Sequence, residues 1–324
     1  MGYMARMSRG KRKYQWMQTK MEYQLSASAS SSPHADSFYI DVAMGLSLLN
    51  RKLIRQGQLF RIKGMRVYQT GDTNSRRFKV ATIPTNWVAR NAFVKGKALW
   101  DEMNLMASQS VGSTSMFPKY HDYKVYMNAA HKSNYATGDD QQIPLPCDAD
   151  GNEVVTTGSE WIYSKYADSG AASDNYDVKF LGDHDGSYGA SGGYTCVSLI
   201  KAYGESRVKP QAQDPLLPDD FEESPWALLF GDDDQTHDAL EALEGDNNAP
   251  PYPPAVYVGS GDDHGGFVVG TGSVAKTSAS ALTTVQAFTA PCGLIRVEID
   301  DDSSMSNEPI HISFDVEILG PMDM

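Results

Sequence analysis

The most constraining feature of this chain is a strict alternation of apolar and polar residues near its C-terminal end. Residues 294–299 read Leu-Ile-Arg-Val-Glu-Ile, and residues 310–318 read Ile-His-Ile-Ser-Phe-Asp-Val-Glu-Ile. Because successive side chains of a β-strand point to opposite faces, this period predicts strands that cover a core on one face only. Such strands require a second layer that packs against their apolar face.

Shorter strand patterns, separated by glycine, proline and Asp/Asn turns, occur along most of the chain. We predict strands at 59–68, 78–83, 123–127, 160–166, 176–181, 194–202, 255–258, 281–288, 293–299 and 311–319. Helical spacing predicts helices at 86–106 and 236–243, with 41–55 as a third candidate. The absence of strict β–α alternation argues against a parallel sheet. The sequence therefore predicts an all-β fold, an antiparallel β-sandwich with a few short helices and long loops.

Charge is divided very unevenly along the chain, whose net charge is −13. Residues 1–100 carry 18 Lys and Arg against 4 Asp and Glu, whereas residues 101–324 carry 10 against 37. A basic region joined to an acidic body is typical of proteins that bind nucleic acid or membrane surfaces. Cations neutralise phosphates and aromatic rings stack on bases, and residues 1–20 contain both without any acid. We predict that the nucleic-acid-binding residues are Arg6, Arg9, Lys11, Arg12, Lys13 and Lys20.

A Ser/Ala run at residues 26–32 follows this basic segment. Small residues bury little apolar surface, so the run indicates a flexible tether. We predict a disordered basic arm and tether at 1–36 and a folded body at 37–324. Within the body, the strand-poor segment 209–265 is predicted to be a surface or projecting insertion. A localisation signal is the alternative explanation for the basic tip.

Three further patterns limit the class of protein. The sequence has no run of about 18 apolar residues, so we predict no transmembrane segment. Cys147, Cys196 and Cys292 are widely spaced, which predicts reduced thiols rather than a zinc site. Asp183-His184-Asp185 places a base beside carboxylates, as a metal or hydrolytic site requires, but adjacent residues in a glycine-flanked turn point in different directions. We therefore predict no catalytic residues and no enzyme.

Segments in a shared order resemble capsid proteins of small circular single-stranded DNA viruses. They include LLNRKLIRQGQLF at 48–60 and TIPTNWVARNAFVKGKALW at 82–100. Further segments of this kind lie at 160–164, 180–186, 198–207, 245–252 and 290–295. The resemblance covers most of the chain from about residue 37, and none of these segments is a catalytic signature.

The resemblance implies a jelly-roll with two sheets of four antiparallel strands. It further implies many copies of the chain assembled as an icosahedral shell, a virion location, formation in a host cell, and a single-stranded genome that is DNA rather than RNA. It identifies no host receptor. We favour a single jelly-roll over a double one because segment 209–265 is poor in strand patterns.

Two other interpretations stay open at this point. The chain is alternatively a non-assembling β-sandwich module that binds single-stranded nucleic acid or carbohydrate. Acidic clusters are also suited to a structural divalent cation such as calcium between subunits, where clustered carboxylates repel unless they are protonated or bridged. The candidate residues for that cation are Asp232, Asp233, Asp234, Asp262 and Asp263.

Overall fold

The computed structural model describes a body built mainly from strands. The described residues are 17–25, 36–69, 75–110, 122–137, 143–145, 161–167, 175–186, 194–207, 257–261, 265–275, 282–301 and 309–322. The strands are β1 (Lys20–Leu25), β2 (Asp36–Asp41), β3 (Gln58–Gln69), β4 (Ser75–Thr82), β5 (Lys165–Ala167), β6 (Asn175–Lys179), β7 (Asp185–Gly186), β8 (Tyr194–Ser198), β9 (Phe267–Ala275), β10 (Leu282–Val285), β11 (Phe288–Pro291), β12 (Leu294–Asp301) and β13 (Ile310–Pro321). The helices are α1 (Val42–Asn50), α2 (Trp87–Ser110), α3 (Ala129–Thr137) and α4 (Leu199–Glu205).

Two antiparallel sheets form the body. Sheet A has the order β1-β13-β3-β10, with β11 pairing beside β10 on the same edge of β3, and sheet B has the order β2-β12-β4-β9. If β10 and β11 are counted as one interrupted strand, the first strand pairs with the last, the second with the next to last, and so on inward. This is one long hairpin wound across two sheets, the jelly-roll arrangement. The predicted all-β antiparallel sandwich is confirmed.

The core between the sheets comes from the alternating apolar residues of both. Sheet A contributes Met21, Tyr23 and Leu25 from β1 and the set Ile310, Ile312, Phe314 and Val316 from β13, and sheet B contributes Phe38, Ile40, Phe78, Val80, Ile295, Val297 and Ile299. All are buried. Each such side chain stabilises the folded state by about 1.5–3 kcal/mol through its removal from water.

A third layer covers part of sheet B. It consists of α2, α4 and a small mixed sheet, sheet C, with the order β5-β6-β8-β7, in which β6 and β8 are parallel. A second apolar cluster joins this layer to the sandwich, and Tyr39 of β2 and Leu294 of β12 belong to it. The outer face of sheet B is therefore partly buried, unlike that of a two-layer sandwich.

A buried carboxylate at the end of β2 fastens neighbouring segments to the sandwich. Asp41 is fully buried, and its Oδ1 accepts a hydrogen bond from the backbone N–H of Met44 (3.1 Å), which caps α1. Its Oδ2 accepts from the side chains of Gln56 (3.0 Å), Trp161 (3.2 Å) and Tyr163 (3.1 Å). Burial raises the pKa of Asp41 to about 6 although these four donors favour the ionised form.

The network continues from Asp41 through Tyr163 to a buried histidine. His131 accepts a hydrogen bond at Nδ1 from the backbone N–H of Met127 (3.0 Å), so its neutral ring carries the proton on Nε2. That nitrogen lies 3.4 Å from the hydroxyl of Tyr163, which leaves the hydroxyl proton for Asp41. Tyr39 stacks on the imidazole with a ring separation of 4.8 Å. Asp41, Tyr163 and His131 thereby all have hydrogen-bond partners.

One predicted boundary is wrong. The sequence predicts that the disordered arm and tether extend to residue 36, but residues Lys20–Leu25 form β1 and pair with β13. The segment Lys-Met-Glu-Tyr-Gln-Leu alternates polar and apolar residues, so it satisfies the same rule as the C-terminal strands. Its proximity to the basic residues concealed that pattern.

Other local predictions fail where tertiary contacts decide the conformation. Residues 123–127 and 257–258 are not strands, and the predicted strand at 194–202 ends at Ser198, where α4 begins. Strands β2 and β9 and helix α3 were not expected. Residues 257–261, at the end of the predicted insertion, pack on the body through the buried Tyr257, whereas the predicted helix at 236–243 lies outside the described residues.

Replacing Asp41 should test the fastening network. In Asp41→Asn, the new amide presents N–H groups to the donors of Gln56, Trp161 or Tyr163, and an unsatisfied buried group costs free energy. We expect the free energy of unfolding in urea to fall by about 3 kcal/mol or more. The matched control, Asp101→Asn, removes an exposed pair with Lys97 and should change it by less than about 0.5 kcal/mol. Equal stability of both variants would contradict the role given to Asp41.

The buried histidine predicts a specific pH dependence of stability. Burial lowers the pKa of His131 to about 3 from its ordinary value of 6.5. The unfolded chain therefore binds a proton that the folded chain does not, and this contribution to stability is full above pH 6.5 and is lost as pH falls toward 3. Between pH 7 and 5, the free energy of unfolding in urea should fall by about 2 kcal/mol more for the natural protein than for His131→Asn. A difference that stays constant with pH would show that folding does not change the pKa of His131.

Candidate nucleic-acid interface

Most of the residues that the sequence selects as a site lie outside the described part of the chain. They are Arg6, Arg9, Lys11, Arg12 and Lys13 of the arm and Asp232, Asp233, Asp234, Asp262 and Asp263 of the acidic clusters. Their roles stay predictions. Lys20 lies in the described part of the chain.

Lys20 is the first residue of β1, at an edge of sheet A. Because Met21, Tyr23 and Leu25 point into the core, the strand period places Lys20 on the opposite, outer face. The Lys20 side chain is exposed there. The arm therefore joins the body directly beside the outer face of sheet A.

A β-bulge gives the same face three more cations. Lys63 and Arg66 of β3 are three residues apart, and a regular strand would place them on opposite faces. Two residues of β3, Gly64 and Met65, lie opposite one residue of β13, since Lys63 pairs with Asp315 and Arg66 pairs with Ser313. Gly64 has a φ of +56°, as expected for a bulge that requires glycine. Arg61, Lys63 and Arg66 are consequently all exposed on the outer face.

We define the cationic face by its four basic residues, Lys20, Arg61, Lys63 and Arg66. Register places Lys20, Asp315 and Lys63 side by side across β1, β13 and β3. With strands about 4.8 Å apart, the Cα atoms of Lys20 and Lys63 lie about 10 Å apart. The cations thus form one contiguous patch on rigid backbone.

Each carboxylate on this face has a partner. Glu22 accepts a hydrogen bond from the Tyr68 hydroxyl (2.5 Å), and Asp315 accepts one from Thr19 Oγ1 (2.6 Å). Glu317 lies 3.0 Å from Nζ of Lys63. Burial, helped by Glu22, raises the pKa of Tyr68 to about 12, so its hydroxyl stays a donor.

The other three cations have no such partner in the described part of the chain. No carboxylate oxygen of the described residues lies within 4.0 Å of the basic nitrogens of Lys20, Arg61 or Arg66. A depression of about 640 Å³ lies among Lys20, Lys63 and Arg66, and its wall also includes Gln18, Ser313 and the carboxylates of Glu22 and Asp315. An anionic backbone can contact these cations without displacing an existing ion pair.

The turn at 183–185 behaves as the sequence predicts for a structural turn. Its three side chains separate: Asp183 is 3.6 Å from Lys201, His184 is 3.2 Å from Glu205, and Asp185 is 2.5 Å from Lys179. Neither acid therefore shares a centre with the imidazole. Within the described ranges, no group of three or more His, Cys, Asp or Glu side chains is arranged to hold a metal ion.

Two of the three cysteines are described, and both support the prediction of reduced thiols. Cys196 and Cys292 are free and buried. Burial raises the pKa of each thiol, that of Cys196 to about 12. Neither thiol is activated as a nucleophile.

A second depression, of about 760 Å³, lies at one end of the sandwich. Its lining is largely apolar and comes from strand ends of both sheets, including Leu59, Ile83, Phe267 and Phe288. Arg90 of α2 is also in its wall and donates from Nε to the backbone oxygen of Met322 (2.9 Å). The chemistry of this groove differs from that of the cationic face.

Comparison of the chain with protein-family models, with curated proteins and with solved structures found no match in any of the three. None of the described helices is long and apolar enough to cross a membrane.

The bulge that assembles the cationic face should depend on Gly64. A Cβ at this position meets no atom within 4 Å, so Gly64→Ala adds only the cost of a left-handed backbone, about 1–2 kcal/mol. Gly64→Asn should cost less, because asparagine tolerates this conformation better. Gly261→Ala is the matched control, since its Cβ also meets nothing and its φ is not positive. Equal melting temperatures for Gly64→Ala and Gly261→Ala would refute the bulge assignment.

Proposed function

We propose that this chain is a coat protein whose copies assemble into an icosahedral shell around a single-stranded nucleic-acid genome. The observation that carries the proposal is the place where the basic arm joins the body. The arm enters β1 at the edge of a single jelly-roll, beside an exposed cationic face. In this proposal, Arg6, Arg9, Lys11, Arg12 and Lys13 of the arm contact the genome, DNA rather than RNA.

The uneven division of charge supports a subunit whose basic and acidic parts have different partners. The cations are concentrated in the first 100 residues, and the acids in the remaining 224. A flexible basic segment can follow a nucleic-acid backbone while the folded body takes part in contacts between subunits. Closed symmetric shells use the same subunit contact many times, so a rigid sandwich that repeats one contact suits that architecture.

The alternative is a module that binds nucleic acid or carbohydrate without assembling. The cationic face serves a nucleic-acid module equally well, so assembly decides between those two functions. Carbohydrate recognition has less support. The largely apolar groove near Leu59 and Phe288 offers few groups for sugar hydroxyls, and pockets of that class need convergent polar groups.

No catalytic step is part of the proposal. The buried His131 already bonds to Met127 and Tyr163, and its lowered pKa keeps it neutral at physiological pH. His184 accepts the backbone N–H of Ser198 at Nδ1 (3.0 Å) and faces Glu205 at Nε2. Both imidazoles have structural roles in these contacts.

Removing the charge of the arm should reduce packaging without unfolding the body. We expect Arg6, Arg9, Lys11, Arg12 and Lys13, all replaced by alanine in the full chain, to lower the nucleic acid recovered from nuclease-treated particles. For free protein and an oligonucleotide, the slope of log K against log salt should fall by about 3.5, since each of the five lost phosphate contacts removes about 0.7. The measurements are absorbance of sedimented particles and fluorescence anisotropy titrations.

The matched control replaces five uncharged residues of the arm and keeps every cation. Its changes are Met4→Ala, Met7→Ala, Ser8→Ala, Gly10→Ala and Gln15→Ala. Gln18 and Thr19 are kept because they contact Asn50 and Asp315. If the charge-free arm packages as much nucleic acid as this control, the arm does not hold the genome.

A further inference from the structure

We propose that the cationic face is a second contact surface for the phosphate backbone of the packaged strand, acting independently of the arm. Sheet A then lines the interior of the shell and sheet B faces away from the genome. This inference rests on the proposed coat function and adds its partner surface, its residues and the orientation of the subunit.

The first support is the electrostatic state of the face. Among its described residues, Glu22, Asp315 and Glu317 already accept hydrogen bonds or an ion pair from Tyr68, Thr19 and Lys63. Lys20, Arg61 and Arg66 are exposed and have no carboxylate within 4.0 Å in the described ranges. Binding a phosphate at these three residues breaks no ion pair among the described residues, so counterion release has to outweigh only the repulsion from the nearby carboxylates of Glu22 and Asp315.

The second support is the rigidity of the cations' backbone. Arg61, Lys63 and Arg66 belong to β3, which pairs with β13 on one side and with β10 and β11 on the other. The bulge at Gly64 turns Lys63 and Arg66 to the same side. Side chains on a hydrogen-bonded strand lose little freedom on binding, because their backbone is already ordered.

The third support is continuity with the arm. Lys13 is four residues before Met17, the first described residue, so an extended chain places the two Cα atoms at most about 14 Å apart. Met17 packs against the core, and Gln18 lines the depression that contains Lys20, Lys63 and Arg66. A nucleic-acid strand bound by the last cations of the arm therefore lies within reach of the cationic face.

The opposite face of the sandwich does not offer the same chemistry. On sheet B, Lys79 and Arg296 both pair with Glu298, at 3.4 Å and 3.2 Å. Arg296 also donates to Ser37 (2.7 Å). Other outward positions of this sheet, such as Tyr39 and Leu294, are buried in the second apolar cluster. This contrast identifies sheet A as the side that meets the genome.

The test removes the three unpaired cations from the full chain as Lys20→Ala, Arg61→Ala and Arg66→Ala together. The probe is a fluorescent 30-nucleotide oligothymidine, titrated by anisotropy over a series of salt concentrations. We expect the slope of log K against log salt to fall by about two, since three single-strand contacts contribute about 0.7 each. The same decrease should appear when the five arm cations are already alanine, because the face acts independently.

The matched control makes the same change in net charge on the third layer. Lys95→Ala, Lys97→Ala and Lys165→Ala remove three cations of α2 and β5, which lie outside sheet A. We expect their combined slope to equal that of the natural protein. Circular dichroism melts of both triple variants show whether the body is intact. If the two triples lower the slope equally, the face has no special role and the inference is overturned.

Particles separate this inference from the function on which it rests. Closed particles whose nucleic-acid content and salt slope are unchanged in the face variant leave the coat function standing and overturn the inference. If the protein forms no particles, and the slope of log K against log salt falls in the face variant but not in the control, the coat function is contradicted. The same result supports the cationic face as a nucleic-acid contact.

Discussion

The structure depends above all on the pairing of the two ends of the chain. Strand β13 lies between β1 and β3, so the first and last strands are neighbours in one sheet. The other strands of sheets A and B pair in the same nested order. A sandwich of this topology closes only when residues nearly 300 positions apart meet, as in the contact of Thr19 with Asp315. Contacts of such long range predict slow folding compared with helical proteins of similar size.

This closure also creates the candidate site. Lys20 belongs to the first strand and Lys63 to the third, and β13 brings them to opposite sides of Asp315. The bulge at Gly64 then adds Arg66 to the same face. One topological constraint thus places the start of β1, which follows the basic N-terminal segment in the sequence, beside the further cations of β3. The buried Asp41 network serves a separate purpose, because it holds α1 and the 161–163 segment to the end of β2.

The sequence predicts the parts of this structure that depend on local periodicity. Strands β12 and β13 alternate strictly and were predicted within two residues at most of their ends, and α2 follows the predicted helical spacing. Strand β9 contains Gly270 and Gly272, which weaken a strand pattern but fit close approaches to Val285 and Phe78. The bulge had a local signal, a lone glycine in a strand. The contacts of Asp41 with Trp161 and Tyr163 span about 120 residues, and no local pattern encodes them.

Electron microscopy is the most direct test of the proposal that copies of this chain build a closed shell. The full chain should be expressed alone, purified, treated with nuclease and examined by negative-stain electron microscopy over a range of salt, pH and calcium concentrations. The proposed coat function predicts closed particles of uniform diameter that contain protected nucleic acid. A persistent monomer or small oligomer under all these conditions would contradict the proposed coat function and favour a nucleic-acid-binding module that does not assemble.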